Sequence, residues 1–296
     1  MHKHVHNTGF CHSLYPSPDK MIQKYGGKSQ SHKVARAAFL KGTIWPQKYT
    51  IKVCFIRDSN FSQSKLDWVK QVIEKYIVPL INLSFQWDVT PQESDIRITF
   101  DQSKGAYSAI GNQALQFPKD QETMNLGWLD TQTDYDSEDA AGTGAVVIHE
   151  FGHCLGMIHE HSRADAPFNW NKPAVYASLE GPPNNWSKDM VDQQVFIAVD
   201  TSQFNGSDYD KTSIMHYYFP ENFFNPPFII PHATKLSNLD IEWIHRIYDN
   251  GKPLSQSSNG SFKSWISKNW WIILISLILI IIIIIIIIYR RKIIFK

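Results

Sequence analysis

Five residues within one short stretch constrain this chain more than anything else in it: His149, Glu150, His153, Gly156 and His159. On an α-helix, His149 and His153 stand at i and i+4, on one face and one turn of about 5.4 Å apart. Two imidazoles so placed can point at one metal ion, and nitrogen ligands in a tetrahedral set suit Zn²⁺. His159 lies six residues beyond His153. At about 100° per residue a continuing helix would turn it away. Gly156 resolves this, because glycine adopts the left-handed conformation that ends helices cheaply. The chain can then bend and return His159 as a third ligand. Three protein ligands leave a place for water, the mark of a catalytic site. Glu150 is then placed as general base, taking a proton from the metal-polarised water as it attacks a peptide carbonyl and handing it to the leaving amine. The competing reading is a pair of ordinary core histidines on an ordinary helix.

Around this motif the sequence reads as one globular unit of α+β class, long enough to build a real core. Residues 49–56 alternate as a strand should, and 65–77 carry Leu66, Val69, Val72, Ile73, Tyr76 and Ile77 at helical spacing. Further strands are expected at 83–89, 95–100, 107–114 and 123–129, then a helix over 142–156. The second half is rich in Pro, Asn and Trp and poor in periodicity. A last helix is expected from Ser237, a good N-cap, to about 249. The expected picture is a mixed sheet with a backing helix and an active-site helix, an irregular C-terminal lobe, and a cleft between the two.

A second motif, Ser213-Ile214-Met215-His216-Tyr217, follows about sixty residues after the first. A methionine turn beneath the metal is the other half of the metzincin pattern. Together the two motifs resemble the astacin family of zinc metalloendopeptidases. The run His159-Glu160-His161-Ser162-Arg163-Ala164-Asp165 is similar to that family's long zinc signature, and Tyr209 to Tyr217 to its Met-turn. Residues 236–248 are similar to its closing helix, Trp45-Pro46 to its first strand region, and Tyr107 to Gly111 to its edge strand. The resemblance spans roughly 37–249. It implies one Zn²⁺ per chain, bound by His149, His153 and His159, with Glu150 as general base. It implies that Tyr217 is a further zinc ligand that swings off to stabilise the transition state. It implies that Met215 packs under the ligands, and that Glu160 anchors the start of a mature chain through a buried contact. An extended peptide or protein substrate would pair with the strand carrying Ser108, Ile110 and Gly111, and Arg163 falls among the residues assigned to substrate binding. With such an anchor at Glu160, the Arg36-Ala37-Ala38 junction is the expected maturation site, the alternative being a leader that stays attached. The sequence departs from the family in lacking its usual pair of disulfides, which Cys11, Cys54 and Cys154 cannot form. No clear counterpart of a metal-blocking aspartate appears in the leader.

The flanks make different demands. Residues 1–36 form a polar leader, expected to be a disordered tail or a pro-segment, with no apolar stretch of the secretory kind. Residues 250–269 read as a flexible linker of Ser, Asn, Gly and Lys. Residues 270–288 hold a single polar side chain, Ser276, and end in a run of Ile. That is long enough to span hydrocarbon as a helix. Trp270, Trp271 and Tyr289 stand where interfacial aromatics belong, which sets the expected transmembrane helix at 270–289, and 290–296 is a basic tail. The formal net charge is +1 with four of the positive charges in that tail, so no basic face for nucleic acid is expected. The missing signal and the sparse cysteines, expected as buried thiols, lean towards a tail anchor with the catalytic unit in the cytosol. The basic tail and five Asn-x-Ser sequons argue for the opposite orientation. The rival to an enzyme is a membrane-tethered, non-catalytic peptide-binding module on the same scaffold. The intact set of His, Glu150, Met215 and Tyr217 speaks against it.

Overall fold

The structure, a computed structural model, describes residues 12–14, 36–127, 129, 143–182 and 184–249. The elements are β1 (His12–Leu14), β2 (Arg36–Leu40), β3 (Thr50–Phe55), α1 (Gln63–Tyr76), β4 (Ser84–Trp87), β5 (Ile96–Thr99), β6 (Ala106–Ala109) and β7 (Met124–Leu126), followed by α2 (Thr143–Cys154), α3 (Lys172–Leu179), β8 (Phe204–Ser207) and α4 (Asn238–Ile247). Six strands form one sheet in the order β1-β6-β7-β5-β3-β4, and β2 pairs with β8 in a separate ribbon. Strand β3 runs parallel to β4 and β5, and β5 parallel to β7. Strand β6 runs antiparallel to β7.

The upper half is built as the periodicities require. Helix α1 starts where the Ser62 hydroxyl accepts the Lys65 N–H, satisfying one of the first-turn donors. Its buried stripe is Leu66, Val69, Val72 and Ile73. That stripe joins Val147, Ile148, Phe151 and Leu155 from α2 and its end, together with the inward residues of β3 and β5, in one core. Helix α2 is therefore covered on several sides. This is why its sequence reads as nearly continuous apolar residues interrupted only by the groups that do chemistry.

The lower half has its own smaller core, built around Val175, Leu179, Val195, Phe219, Phe223 and Phe224. Helix α3 supplies two of these and was not expected. It begins Lys172-Pro173, and proline in the first turn of a helix costs nothing because that N–H has no intrahelical partner. Helix α4 begins at Ser237, as expected, with a reciprocal cap between Ser237 and Asp240. The same buried Asp240 carboxylate accepts the Ser213 hydroxyl at 2.7 Å and the Ile214 N–H at 2.8 Å. The closing helix thereby holds the turn at 213–217 in place.

Several expectations are corrected. The strand expected over 107–114 ends at Ala109, because Gly111 takes φ of +53° and opens a 3₁₀ turn over Gly111–Gln116. The leader is not wholly without structure. His12–Leu14 pairs in parallel with Tyr107–Ala109 on the outer edge of β6. Three residues are too few to show a period in sequence, and an edge strand offers its open hydrogen-bonding groups to any extended chain. The Arg36-Ala37 junction sits inside β2, whose register with β8 runs from Arg36↔Ser207 to Leu40↔Phe204. Cys54 and Cys154 are buried free thiols, as expected. Burial pushes the Cys154 thiol up to about 12, which leaves it unreactive at neutral pH. Cys11, the linker 250–269, the apolar segment 270–289 and the basic tail 290–296 lie outside the described residues. Among the described residues, no helix is long and apolar enough to cross a membrane.

Candidate metal and catalytic site

The end of α2 is a glycine-terminated helix stop. Gly156 has φ of +99°. Its N–H donates to the His153 carbonyl at 2.8 Å, and the Met157 N–H reaches back to the Gly152 carbonyl at 2.9 Å. This pair of bonds satisfies carbonyls that the helix end would leave open. The emerging chain is then caught by β2: the Leu40 N–H donates to the Gly156 carbonyl, and the Ile158 N–H to the Ala38 carbonyl. The next residue is His159, delivered back towards α2 as the glycine spacing predicts.

The three imidazoles converge. One nitrogen of each of His149, His153 and His159 lies within 4.8 Å of the others, and the Nε2 atoms of His153 and His159 are 3.0 Å apart. Nδ1 of His149 faces the Ile214 carbonyl at 2.7 Å, and Nδ1 of His153 faces the Met157 carbonyl at 2.8 Å. A carbonyl only accepts, so both Nδ1 atoms carry the hydrogen and both Nε2 atoms present a lone pair to the common centre. Burial holds His149 below its ordinary range, at about 4, so its ring is neutral at neutral pH. Nitrogen donors at these separations, two of them oriented by carbonyls, fit a tetrahedral Zn²⁺ with Zn–N of about 2.0–2.1 Å.

Glu150 follows His149 on α2 and is 1% exposed. Met215 is fully buried under α2. A Cβ at Gly152 would come within 2.5 Å of its sulfur, so the glycine at this helix position is demanded by the turn beneath it. Gly152→Ala is expected to lower the stability of the zinc-bound protein by about 1–3 kcal/mol, as overpacking does, read as a drop in thermal midpoint. A melting curve that overlays the parent's would show that the Met215 turn can retreat. The Met215 carbonyl in turn accepts the Glu160 N–H at 3.0 Å, so one turn supports both the helix ligands and the His159 loop.

Tyr217 is 5% exposed, with its ring centroid 4.3 Å from that of His159 and 6.3 Å from that of His149. The structure thus brings the tyrosine beside two of the three histidines. Glu160 is buried and accepts Arg163 Nη1 at 3.0 Å and the Asp210 N–H at 2.7 Å, so the contacts seen at this carboxylate come from within the domain. Arg163, expected among the substrate-binding residues, is 2% exposed. Its guanidinium is buried between Glu160 and Asp165, over the ring of Phe204, because a buried carboxylate needs a buried cation. Ser108 lies in β6, with its neighbours on both sides being other strands. Ile110 and Gly111, also expected to pair with substrate, lie past the end of that strand. Sequence reasoning gave no role to His161 or Asp240. Asp240 is readable as the N3 residue of a capping box that starts at Ser237.

A parallel-rich sheet over a helix that presents two histidines, a glycine stop and a methionine turn is the architecture of a zinc-dependent metallopeptidase. Residues 40–249 match the model of the Astacin peptidase family. The chain belongs to the astacin family. It is 40% identical over 84 residues to Nematocyst expressed protein 6 of Nematostella vectensis, covering 27% of this chain and 25% of that one. It is 30% identical over 133 residues to an astacin-like metalloendopeptidase of Gallus gallus, covering 40% of this chain and 30% of that one. The matched stretch therefore spans between 14% and 30% of the length of the curated relatives. Among solved structures, myroilysin superposes with a TM-score of 0.63 at 36% identity, covering 72% of this chain and 98% of that one. The family is zinc-dependent, and His149, His153 and His159 are the residues of this chain that fit the metal.

Proposed function

We propose that this protein is a zinc-dependent endopeptidase that cleaves extended peptide or protein substrates, held to a membrane by residues 270–289. The observation that carries the catalytic reading is the convergence of three buried imidazoles, two with Nδ1 tied to carbonyls, beside a buried glutamate on the same helix. Bound zinc supplies Lewis acidity, making water acidic and polarising the carbonyl under attack. The chain's own groups do the rest. The Ile214 and Met157 carbonyls fix the imidazoles in one tautomer and one direction. Glu150 accepts the proton of the attacking water and passes it to the leaving amine. Tyr217 donates its hydroxyl to the oxyanion that develops. An extended substrate pairs with β6, which packs against α2, and displaces β1 to do so. The apolar run of residues 270–289 supports the anchor. The free thiols of Cys54 and Cys154 support a catalytic domain on the cytosolic side.

The test is metal-linked proteolysis by the full chain in detergent. The purified protein is expected to hold one zinc, to cleave unfolded casein, to lose cleavage on treatment with 1,10-phenanthroline and to regain it on zinc addition. A folded protein that binds no zinc sinks the reading. Zinc binding without cleavage, even after removal of the leader, supports the tethered binding module instead.

A further inference from the structure

The Tyr217 backbone and ring are held by two histidines that the zinc motif does not use. His216 Nδ1 donates to the Tyr217 carbonyl at 2.8 Å, and its Nε2 accepts the Tyr209 hydroxyl at 2.7 Å. With the backbone so fixed, the tyrosine can change position only by rotating its side chain. The surface it rotates against includes His161. The His161 ring lies 4.4 Å from the Tyr217 ring at 31°, and 5.1 Å from the His159 ring at 23°. Its own orientation is set from the lower lobe, because Nε2–H donates to the Gln194 carbonyl at 3.0 Å, and the edge of Phe219 closes on it at 5.1 Å and 89°.

His161 is an odd choice for that place on grounds of stability. It sits among aromatic rings, and its Nδ1 is buried with no hydrogen-bond partner among the described residues. Buried nitrogens of that kind are rare and need a reason. A flat ring that can both stack on a phenol and be locked in plane by one N–H bond gives one. Phenylalanine offers the face without the lock, and glutamine the hydrogen bond without the face.

We propose that His161 is a positioning residue for Tyr217: it transmits the placement of the lower lobe to the tyrosine ring and holds that ring where its hydroxyl can serve the reaction. The inference rests on the reading of Tyr217 as the group that stabilises the transition state. His161 itself touches neither metal nor substrate in this scheme.

A double-mutant cycle tests it, with zinc content and thermal midpoint measured for every variant. Tyr217→Phe is expected to lower kcat with zinc retained. His161→Gln is expected to lower kcat by about tenfold to a hundredfold, the size of effect that small misplacements of a catalytic group produce, with little change in KM. His161→Phe keeps a ring face against Tyr217 but loses the bond to Gln194, so it is expected to lower kcat as well, by less than His161→Gln but by more than about threefold. In the Tyr217→Phe background, His161→Gln is expected to cost nothing further, because the group it positions is already gone. Equal losses from His161→Gln in both backgrounds overturn the proposal, since they mark a general effect on the fold. So does a His161→Phe variant that holds zinc and keeps the parent kcat, since the bond to Gln194 would then be dispensable. If Tyr217→Phe alone leaves kcat unchanged, the role given to Tyr217 fails first, and the positioning role falls with it.

Discussion

Replacing Glu150 by glutamine is expected to lower kcat by about 10²–10⁴-fold while zinc content stays at the parent level. The substitution exchanges one carboxylate oxygen for an amide nitrogen at constant size. Glu150 is 1% exposed and sits inside the helix that carries two of the ligands, so size matters more here than at a surface. What the amide cannot do is accept and return a proton. His149 and His153 keep the carbonyl contacts that aim their Nε2 atoms, and neither contact involves Glu150. Metal binding and base catalysis are therefore separable in this site. The loss should appear equally in kcat and in kcat/KM, the sign of an interaction made only in the transition state. Zinc analysis and steady-state cleavage of one peptide, run side by side on parent and variant, decide it. A variant that keeps zinc and retains most of the parent kcat would place the base elsewhere. A variant that loses zinc would mean that Glu150 shapes the ligand set.

How much of this was legible in sequence depends on the range of the forces involved. The ligand helix, its glycine stop and the return of His159 are local: 3.6-residue periodicity and the conformational freedom of Gly156 are enough to derive them. The same holds for α1 and for the Ser237 cap. What could not be read is what arrives from far along the chain. The Ile214 carbonyl that orients His149 lies 65 residues away, and it is in place because Asp240 holds the turn from a helix further on. Arg163 looks like a surface cation beside an active-site motif. Only the fold shows Glu160 and Asp165 enclosing it. Likewise His161 reads as filler in a signature until the lower lobe folds up and places Gln194 against it. Helix α3 stayed hidden for another reason: its window is short and carries a proline that normally signals a break.

Breaking the pairing of β1 is expected to lower the KM for an extended peptide by about tenfold or more, with kcat unchanged. His12, Ser13 and Leu14 occupy the outer edge of β6 in register with Tyr107, Ser108 and Ala109. That is the edge at which a substrate strand would add to the sheet. A segment tethered to its own binding site competes at an effective concentration in the millimolar range, far above an ordinary substrate. The pairing itself is short. Two net backbone hydrogen bonds at about 1 kcal/mol each would amount to roughly thirtyfold in occupancy, so the block is expected to be partial and surmountable. Neighbouring residues of a strand direct their N–H groups to opposite sides. Placing proline at both His12 and Ser13 must therefore remove a donor from the β6 side, whichever of the two supplies it. Saturating substrate overcomes a competitor of this kind, which is why the effect should fall on KM. A change confined to kcat would mean that the leader acts on the catalytic groups. No change in either constant would mean that substrate does not use the β6 edge at all, and the segment around Ser108 would lose its place in the mechanism.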